Sequence, residues 1–412
     1  MKKNFVIAFT FLLIAQLGWA QTNPEIVSWI RNTNGAVGYN NIPSNVQIVQ
    51  YSANNVYISC TCIPGYSIGP WMNNPNTPIN KNFVYKITRN PVQNTGTLTN
   101  IGLGHTGVWT NGVSIFNADD GQTYMMQGVW HRNAYFFEGP SFDNCLGHPA
   151  PGGEYHHHVN PQCLYNPADS SVHSPIIGYA FDGFPVYGAW GYTNANGTGP
   201  LKRMTPSYQV RNMTDRTTLP NGTTAPSPGP AINTQYPLGA FIQDYEYLAA
   251  SGDLDEHNGR FCVTPEYPLG TYAYFVTIDA ALLPVFPFTM TETYYGVVQA
   301  GNTGPNGGHV TINETTTIFN GNTAVNELNN EIKFEITPNP VKDYAFIYFD
   351  PSSVNNIKGE IYNAKGQLVY TQDNLQPSIS YGFDFTTYPS GNYFLHLTSA
   401  NKTTTYKIVK VK

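Results

Sequence analysis

The chain of 412 residues has little charge: Asp, Glu, Lys and Arg make up 11% of it, and the formal net charge is −6 at pH 7. So mild a charge gives no electrostatic footprint for nucleic acid or anionic membrane, and we expect neither as a partner. The residues that build long amphipathic helices are scarce, whereas Gly, Pro and Tyr are plentiful. The composition therefore predicts a mainly β fold, with a β-rich core domain of short strands and many turns.

Common catalytic motifs are also missing. The sequence has no P-loop and no H-E-x-x-H. After the first twenty residues, no stretch approaches 18 consecutive apolar residues, so we expect no transmembrane anchor in the mature chain. Catalytic residues cannot be named on this basis, and whether the protein is an enzyme stays open.

The N-terminus has the pattern of a secretory signal peptide. Lys2 and Lys3 precede an apolar run at 5–17, and Gly18 and Ala20 place small residues at the −3 and −1 positions of a cleavage site. The alternative is a membrane anchor, but the run is too short to span about 30 Å of hydrocarbon comfortably. We therefore predict a cleaved signal peptide at 1–20.

The rest of the chain divides by composition into three regions. Residues 21–299 are dense in aromatics and Gly/Pro turns, with strand-like runs such as NVYISC (55–60) and TYAYFVTI (271–278). Residues 300–332 have the composition of a polar linker. Residues 333–412 contain eight of the 20 Lys and Arg residues and several short strand-like runs separated by turn signals. We interpret this last region as a small C-terminal β-sandwich.

That last region resembles a known family. Its motifs are TPNP (337–340), NAKG (363–366), YPSGNY (388–393) and the Lys-bearing end YKIVKVK (406–412). They are similar to the type A C-terminal sorting domain of the type IX secretion system. The resemblance implies the type IX secretion machinery as a partner and a secreted or cell-surface location, on the exterior of an outer membrane. The alternative is an accessory β-domain that binds sugar or protein.

Cysteines in an exported protein can be oxidised, and the odd count here leaves at least one unpaired. We prefer a Cys145–Cys163 disulfide, because this pair brackets a His-rich segment and closing the loop would brace it. The other three are Cys60, Cys62 and Cys262.

The bracketed segment, 142–165, holds the residues best suited to chemistry. His148, His156 and His158 are the candidate metal ligands. If the chain is extended at 154–159, His156 and His158 project from one face and His157 from the other. An H-x-H pair on a strand can chelate one ion, and imidazole suits zinc or copper. His148 reaches back from the far side of a Pro/Gly turn.

Further ligands are possible, and so are interpretations without a metal. Asp143 or Glu154 could add an oxygen, and Asp182, Asp255 and His257 are additional candidates if the fold brings them near. Asp182 could instead cap the turn that it opens. The histidines could also form a hydrogen-bonded polar core or part of an exposed loop.

The same segment carries a second resemblance. Tyr155-His156-His157-His158 is similar to the signature of the YHYH family of exported proteins, with His157 in place of the second Tyr. The flanking blocks HSPIIGYAFDGFPVYG (173–188) and GDLDEHNGRF (252–261) match later blocks of that family. The resemblance implies no established reaction. The replacement leaves the face that carries the H-x-H pair intact.

Three hypotheses about function remain open. The first is an exported metal-binding protein or metal-dependent enzyme, which uses the histidines described above. The second is an extracellular glycan-binding protein whose tryptophans stack on sugar rings. The third is a structural or adhesive domain, in which the polar cluster only specifies the fold. The tryptophans considered for stacking are Trp71, Trp109, Trp130 and Trp190.

Overall fold

The computed structural model describes residues 23–304, 307–320, 334–349, 357–375, 380–399 and 402–412. The predicted signal peptide, 1–20, and the later part of the predicted linker lie outside the described residues. The chain divides into two compact units after Phe319. None of the helices in the described ranges is long and apolar enough to cross a membrane.

Strands dominate the first unit, as the composition predicts. Its helices are α1 (Pro24–Val27) and α2 (Ala134–Phe137), with 3₁₀ turns at Tyr39–Asn41, Tyr124–Met126, Gly139–Ser141 and Ile242–Asp244. Its strands are β1 (Val46–Tyr51), β2 (Asn55–Cys60), β3 (Phe83–Thr88), β4 (His105–Trp109), β5 (Ser114–Phe116), β6 (Asp119–Thr123), β7 (His131–Asn133), β8 (His148–Pro149), β9 (Tyr155–His157), β10 (Ile176–Ala180), β11 (Pro185–Tyr187), β12 (Trp190–Tyr192), β13 (Leu201–Arg203), β14 (Tyr208–Val210), β15 (Tyr245–Tyr247), β16 (Gly259–Cys262), β17 (Thr271–Phe275) and β18 (Thr317–Ile318).

An eight-stranded sheet in the order β16-β17-β11-β10-β4-β5-β9-β8 forms the centre of the first unit. Its pairs are mostly antiparallel, but β11 with β17 and β5 with β9 are parallel. The middle strands β4, β10 and β11 are buried along their whole length, so apart from His105 at the start of β4 their residues do not alternate between polar and apolar. This sheet places the His-rich segment, in β8 and β9, at one edge.

A four-stranded sheet in the order β18-β1-β2-β3 uses residues that we expected to belong to the linker. In β18, Ile318 pairs with Gln50 of β1, and the carbonyl of Phe319 accepts a hydrogen bond of 2.6 Å from Arg31. An unpaired strand edge exposes backbone donors and acceptors, and this segment satisfies those of β1. Residues 317–319 therefore pack on the first unit despite their polar surroundings in the sequence.

The second unit is a small β-sandwich-like domain. Its strands are β19 (Phe334–Thr337), β20 (Tyr344–Phe349), β21 (Ile357–Asn363), β22 (Leu368–Leu375), β23 (Ser380–Asp384), β24 (Gly391–Ser399) and β25 (Lys402–Lys410). They form two sheets, β19-β20-β23 and β22-β21-β24-β25. Burial alternates along β24, where Tyr393, Leu395 and Leu397 face the core. The predicted mainly β class is therefore confirmed.

Candidate metal centre

The candidate metal centre is built on the hairpin of β8 and β9, in which His148 lies opposite His156. The connecting turn is closed by hydrogen bonds from the Ala150 N–H to the Glu154 carbonyl and from the Gly153 N–H to the Ala150 carbonyl, both 2.9 Å. Gly153 has φ +77°, and a Cβ there would lie 2.8 Å from the carbonyl oxygen of Thr77. Glycine is therefore needed for both the turn and its packing.

A Cys145–Cys163 disulfide encloses this hairpin, as the sequence analysis prefers. The three remaining cysteines are buried free thiols. Burial raises the pKa of Cys60 to about 12 and that of Cys62 well above the ordinary value, so these two thiols stay protonated and have little reactivity.

Three imidazole nitrogens converge in the hairpin. The Nε2 atom of His156 lies 3.0 Å from Nε2 of His148 and 3.0 Å from Nε2 of His158. Ligand atoms of the three residues all lie within 4.8 Å of one another, and all three side chains are buried. His157, on the opposite face of the strand, is also buried but packs against the rings of Trp109 and Tyr155.

The opposite nitrogens of two of these rings identify where their protons are. His156 Nδ1 lies 3.1 Å from the carbonyl oxygen of Glu154, and His158 Nδ1 lies 2.5 Å from the carbonyl oxygen of Asn117. A carbonyl oxygen only accepts hydrogen bonds, so each Nδ1 must carry the proton. In the neutral rings the two Nε2 atoms then have lone pairs and no proton.

Ser141 extends the same argument to His148. The Ser141 hydroxyl donates to the carbonyl of Glu138 at 2.7 Å, and its oxygen lies 2.8 Å from His148 Nδ1. Since the hydroxyl proton is already used, the serine oxygen accepts from His148 Nδ1–H. In each of the three rings Nδ1 thus faces a hydrogen-bond acceptor, and the three Nε2 atoms point into one small space.

Protonation does not relieve this arrangement near neutral pH. Burial, followed by the charges of neighbouring imidazoles, lowers the pKa of His148 to about 3 and that of His156 well below its ordinary value. Phe116 stacks on His156 with ring centroids 3.8 Å apart, which helps to exclude water. At least these two rings are thus neutral imidazoles whose Nε2 atoms face a shared point.

Glu138 adds an oxygen to the group, and the sequence analysis missed it. Its Oε2 lies 3.0 Å from His158 Nε2 and 3.6 Å from His148 Nε2. Glu138 follows α2, ten positions before His148, and no motif joins the two in the sequence. A carboxylate oxygen is a normal companion of imidazole in zinc and copper sites.

The group forms part of the wall of a cavity of ≈ 540 Å³. Other parts of the wall carry the side chains of Asn73, Asn74 and Asn76 and the carboxyl groups of Asp119 and Asp120. Among the described residues that line it, none is Lys or Arg. The side chains of all three histidines therefore border this cavity.

The additional candidates of the sequence analysis have other partners. Asp182 accepts hydrogen bonds from the Tyr274 hydroxyl at 2.6 Å and from the N–H groups of Gly296 and Phe184 at 2.9 and 3.2 Å. It caps the turn, in which Gly183 has φ +92°, and burial raises its pKa to about 6. The Asp182 carboxylate thus joins the loop at Gly296 to Tyr274 of β17.

Asp255 and His257 also stabilise loops. Asp255 accepts from the Tyr272 hydroxyl and from the backbone N–H of His257, both at 2.9 Å. His257 Nδ1 lies 3.0 Å from the carbonyl oxygen of Thr293. Neither residue is in the group formed by His148, His156 and His158.

The two acidic residues nearest to the histidines in sequence are occupied as well. Asp143 accepts from the N–H of Gly69 at 2.8 Å and from the Tyr155 hydroxyl at 3.0 Å. Glu154 Oε1 lies 3.0 Å from Nδ1 of His105. The oxygen that we expected from one of them comes instead from Glu138.

Two of the four tryptophans considered for sugar stacking are buried. Trp109 and Trp130 are 0% and 1% exposed. Trp71 and Trp190 are partly buried, and their indole N–H groups donate to the carbonyls of Gly147 and Pro167. Aromatic binding of a sugar needs an open ring face, which Trp109 and Trp130 lack.

Comparison with known families agrees with both resemblances. Residues 84–286 match the family model described as YHYH protein, and residues 335–412 match that described as Secretion system C-terminal sorting domain. Residues 84–286 therefore form a YHYH region, and the chain carries a type IX sorting domain in its C-terminal part. That domain directs it to the cell surface or the extracellular space.

Solved structures add no functional argument. A DUF3244 family protein with an immunoglobulin-like β-sandwich fold from Bacteroides vulgatus is 18% identical, over 20% of this chain and 98% of that one, with a TM-score of 0.16. Dimeric latent PorU from Porphyromonas gingivalis is 21% identical, over 24% of this chain and only 11% of that one, with a TM-score of 0.18. No curated protein matches the sequence.

Proposed function

We propose that the YHYH domain is a transition-metal-binding module of an exported protein and that it holds zinc or copper through His148, His156 and His158. One observation carries the proposal: the three Nε2 atoms meet at one point, while the Nδ1 atom of each ring faces an oxygen. Three lone pairs at this spacing repel unless a cation lies between them. Hydrogen bonds to the outer ring nitrogens are also how proteins orient metal-bound imidazoles.

The spacing suits a first-row metal. With metal–nitrogen bonds of about 2.0–2.1 Å, adjacent ligand nitrogens lie about 3.3 Å apart in a tetrahedral site and about 2.9 Å apart in an octahedral one. The distance of 3.0 Å from His156 Nε2 to each of the other two Nε2 atoms falls between these values. Glu138 supplies a further ligand or a hydrogen-bond partner for a coordinated water. The cavity leaves a coordination position open, which a catalytic site requires.

Elemental analysis of the full chain, purified without a His-tag, tests the proposal. We expect one equivalent of zinc or copper, and its loss in His156→Ala. His309→Ala is the matched control, because His309 is exposed and lies outside the group, and it should retain the metal. Absence of zinc and copper after incubation with either ion would exclude the proposal, as would metal binding unchanged by His156→Ala.

A second measurement separates this proposal from a purely structural polar cluster. A ligand that binds only the folded state raises its stability, so removal of metal by a chelator should lower the melting temperature of the wild type. Glu138→Gln should reduce the shift, and His156→Ala should abolish it. A structural cluster predicts that His156→Ala is destabilised and that chelator has no effect on either protein.

A further inference from the structure

A second cavity, of ≈ 410 Å³, lies in the first unit next to that of the metal centre. The two cavities share one wall residue, Asp119. We call the second one the aromatic cavity, because four rings line it: Tyr208, Tyr245, Tyr247 and Phe286.

The rings form a connected wall. Tyr245 and Phe286 are stacked with centroids 4.0 Å apart and an interplanar angle of 12°. Tyr208 meets Phe286 edge-on at 5.6 Å and lies 5.5 Å from the ring of Tyr247. Tyr247 is 36% exposed, so part of its ring is open to a ligand. Such walls favour flat apolar groups and cations, which interact with the negative faces of the rings.

A fixed imidazole also lines this cavity. His131 Nδ1 lies 2.7 Å from Oδ2 of Asp119, and the backbone N–H of His131 donates to the side chain of Gln243 at 2.7 Å. The N–H of Gly121 donates to the other oxygen of Asp119 at 2.9 Å. Nδ1–H of His131 thus donates a hydrogen bond to the Asp119 carboxylate. Nε2 of His131 has no hydrogen-bond partner among the described residues.

The charges of the aromatic cavity are negative. Glu246 and Glu292 line it together with Asp119, and none of the described lining residues is Lys or Arg. The hydrogen bond that His131 donates to Asp119 raises the pKa of His131, and the nearby charge of Glu292 acts in the same direction. The cavity therefore disfavours phosphate, sulfate and carboxylate groups.

From this geometry we infer that the aromatic cavity is a binding site for a small organic cation that carries a ring. The ring packs against the aromatic wall, and the ammonium group lies among the carboxylates of Asp119, Glu246 and Glu292. The site is separate from the metal ligands, so its occupation does not require metal.

Three probes of the same shape test the charge preference. Benzylammonium, benzyl alcohol and benzoate share one ring and differ in charge, and their dissociation constants for the metal-free full chain can be measured by NMR titration. We expect benzylammonium to bind at least about tenfold more tightly than benzoate, and more tightly than benzyl alcohol. Binding of benzoate or benzyl alcohol as tight as that of benzylammonium overturns the inference, and so does absence of binding by all three at millimolar concentration.

Two variants locate the bound cation. Glu292 is exposed, so the Glu292→Gln variant should fold normally. We expect it to weaken the binding of benzylammonium roughly fivefold and to leave the binding of benzyl alcohol unchanged. Glu256→Gln is the matched control: this side chain is 59% exposed and does not line the cavity. Metal content should be unchanged in both variants. Equal effects of the two substitutions on benzylammonium would overturn the assignment of the site.

Discussion

The hydroxyl oxygen of Ser141 accepts a hydrogen bond of 2.8 Å from Nδ1–H of His148, because the Ser141 hydroxyl donates its own hydrogen bond to the carbonyl of Glu138. One short segment thus orients His148 through Ser141 and supplies the Glu138 carboxylate to the same group of ligands. This relationship makes Ser141 a positioning residue of the proposed centre.

Replacement of Ser141 by alanine should therefore weaken metal binding without removing a ligand. Loss of an outer hydrogen bond of this kind lowers metal affinity by about 10- to 100-fold. Competition titration with a chromophoric chelator measures the change. Ser171→Ala is the control, because this exposed serine hydrogen-bonds to Asp169 and lies outside the group of histidines. Equal affinities of Ser141→Ala and wild type would show that the hydrogen bond does not hold the ligand.

The disulfide should stabilise both the first unit and the centre. Cys145 and Cys163 are 18 positions apart, and the enclosed loop contains His148, His156 and His158. Opening a loop of this length costs about 3 kcal/mol in the chain-entropy account. We expect a loss of that order in the free energy of unfolding of Cys145→Ala/Cys163→Ala, together with weaker metal binding. Cys262→Ala removes a thiol outside the loop and should leave metal affinity unchanged.

A buried ion pair should dominate the stability of the segment between β13 and β15. The Arg216 guanidinium donates to both oxygens of Asp244, at 2.7 and 2.8 Å, and both side chains are 0% exposed. Arg216→Met leaves an unpaired buried carboxylate, which costs about 3–5 kcal/mol. Lys202 pairs with Asp253 at 2.8 Å but is 40% exposed, so Lys202→Met should cost less than about 1 kcal/mol. Denaturant unfolding of the two variants gives the comparison, and similar losses would contradict it.

Stability should fall in mild acid through His173. Burial lowers the pKa of His173, whose Nδ1 donates to the carbonyl of Ser174 at 2.8 Å. The unfolded chain binds a proton near pH 6.5 where the folded chain does not. The stability that depends on neutral His173 is therefore fully present above about pH 6.5 and is lost as the pH falls toward the lowered pKa of His173.

In His173→Phe, the phenyl ring can occupy the space of the imidazole beside Tyr187 and Tyr192. The variant therefore isolates the effect of His173 from that of the other buried histidines. The variant should lose less stability than the wild type between pH 7 and pH 5, as measured by the free energy of unfolding at each pH. Parallel pH profiles would show that His173 does not titrate as its burial predicts.

Local patterns predicted part of this structure well. The two-residue period of a strand is enough to place His156 and His158 on one face and His157 on the other. The turn after Asp182 follows from Gly183 and Pro185. Composition alone gives the mainly β class, because it reflects properties of many residues and does not depend on any one contact.

Contacts between distant segments could not be predicted in the same way. Glu138 and Ser141 belong to the proposed centre because α2 and its following turn pack beside β8 and β9, and nothing in their spacing shows it. Asn117 contributes a backbone carbonyl, which every residue has. We expected β18 to be part of the linker because it pairs with β1 through backbone hydrogen bonds. Such bonds do not require particular side chains, so the composition of the segment does not indicate them.

The Cys145–Cys163 loop also bears on when metal can enter. A disulfide of this kind forms in an oxidising compartment and not in the cytoplasm. The loop that holds the proposed ligands is therefore closed only in an oxidising compartment outside the cytoplasm. We expect the protein to acquire its ion outside the cytoplasm, so the metal supply of the periplasm or of the exterior would decide which ion the site holds.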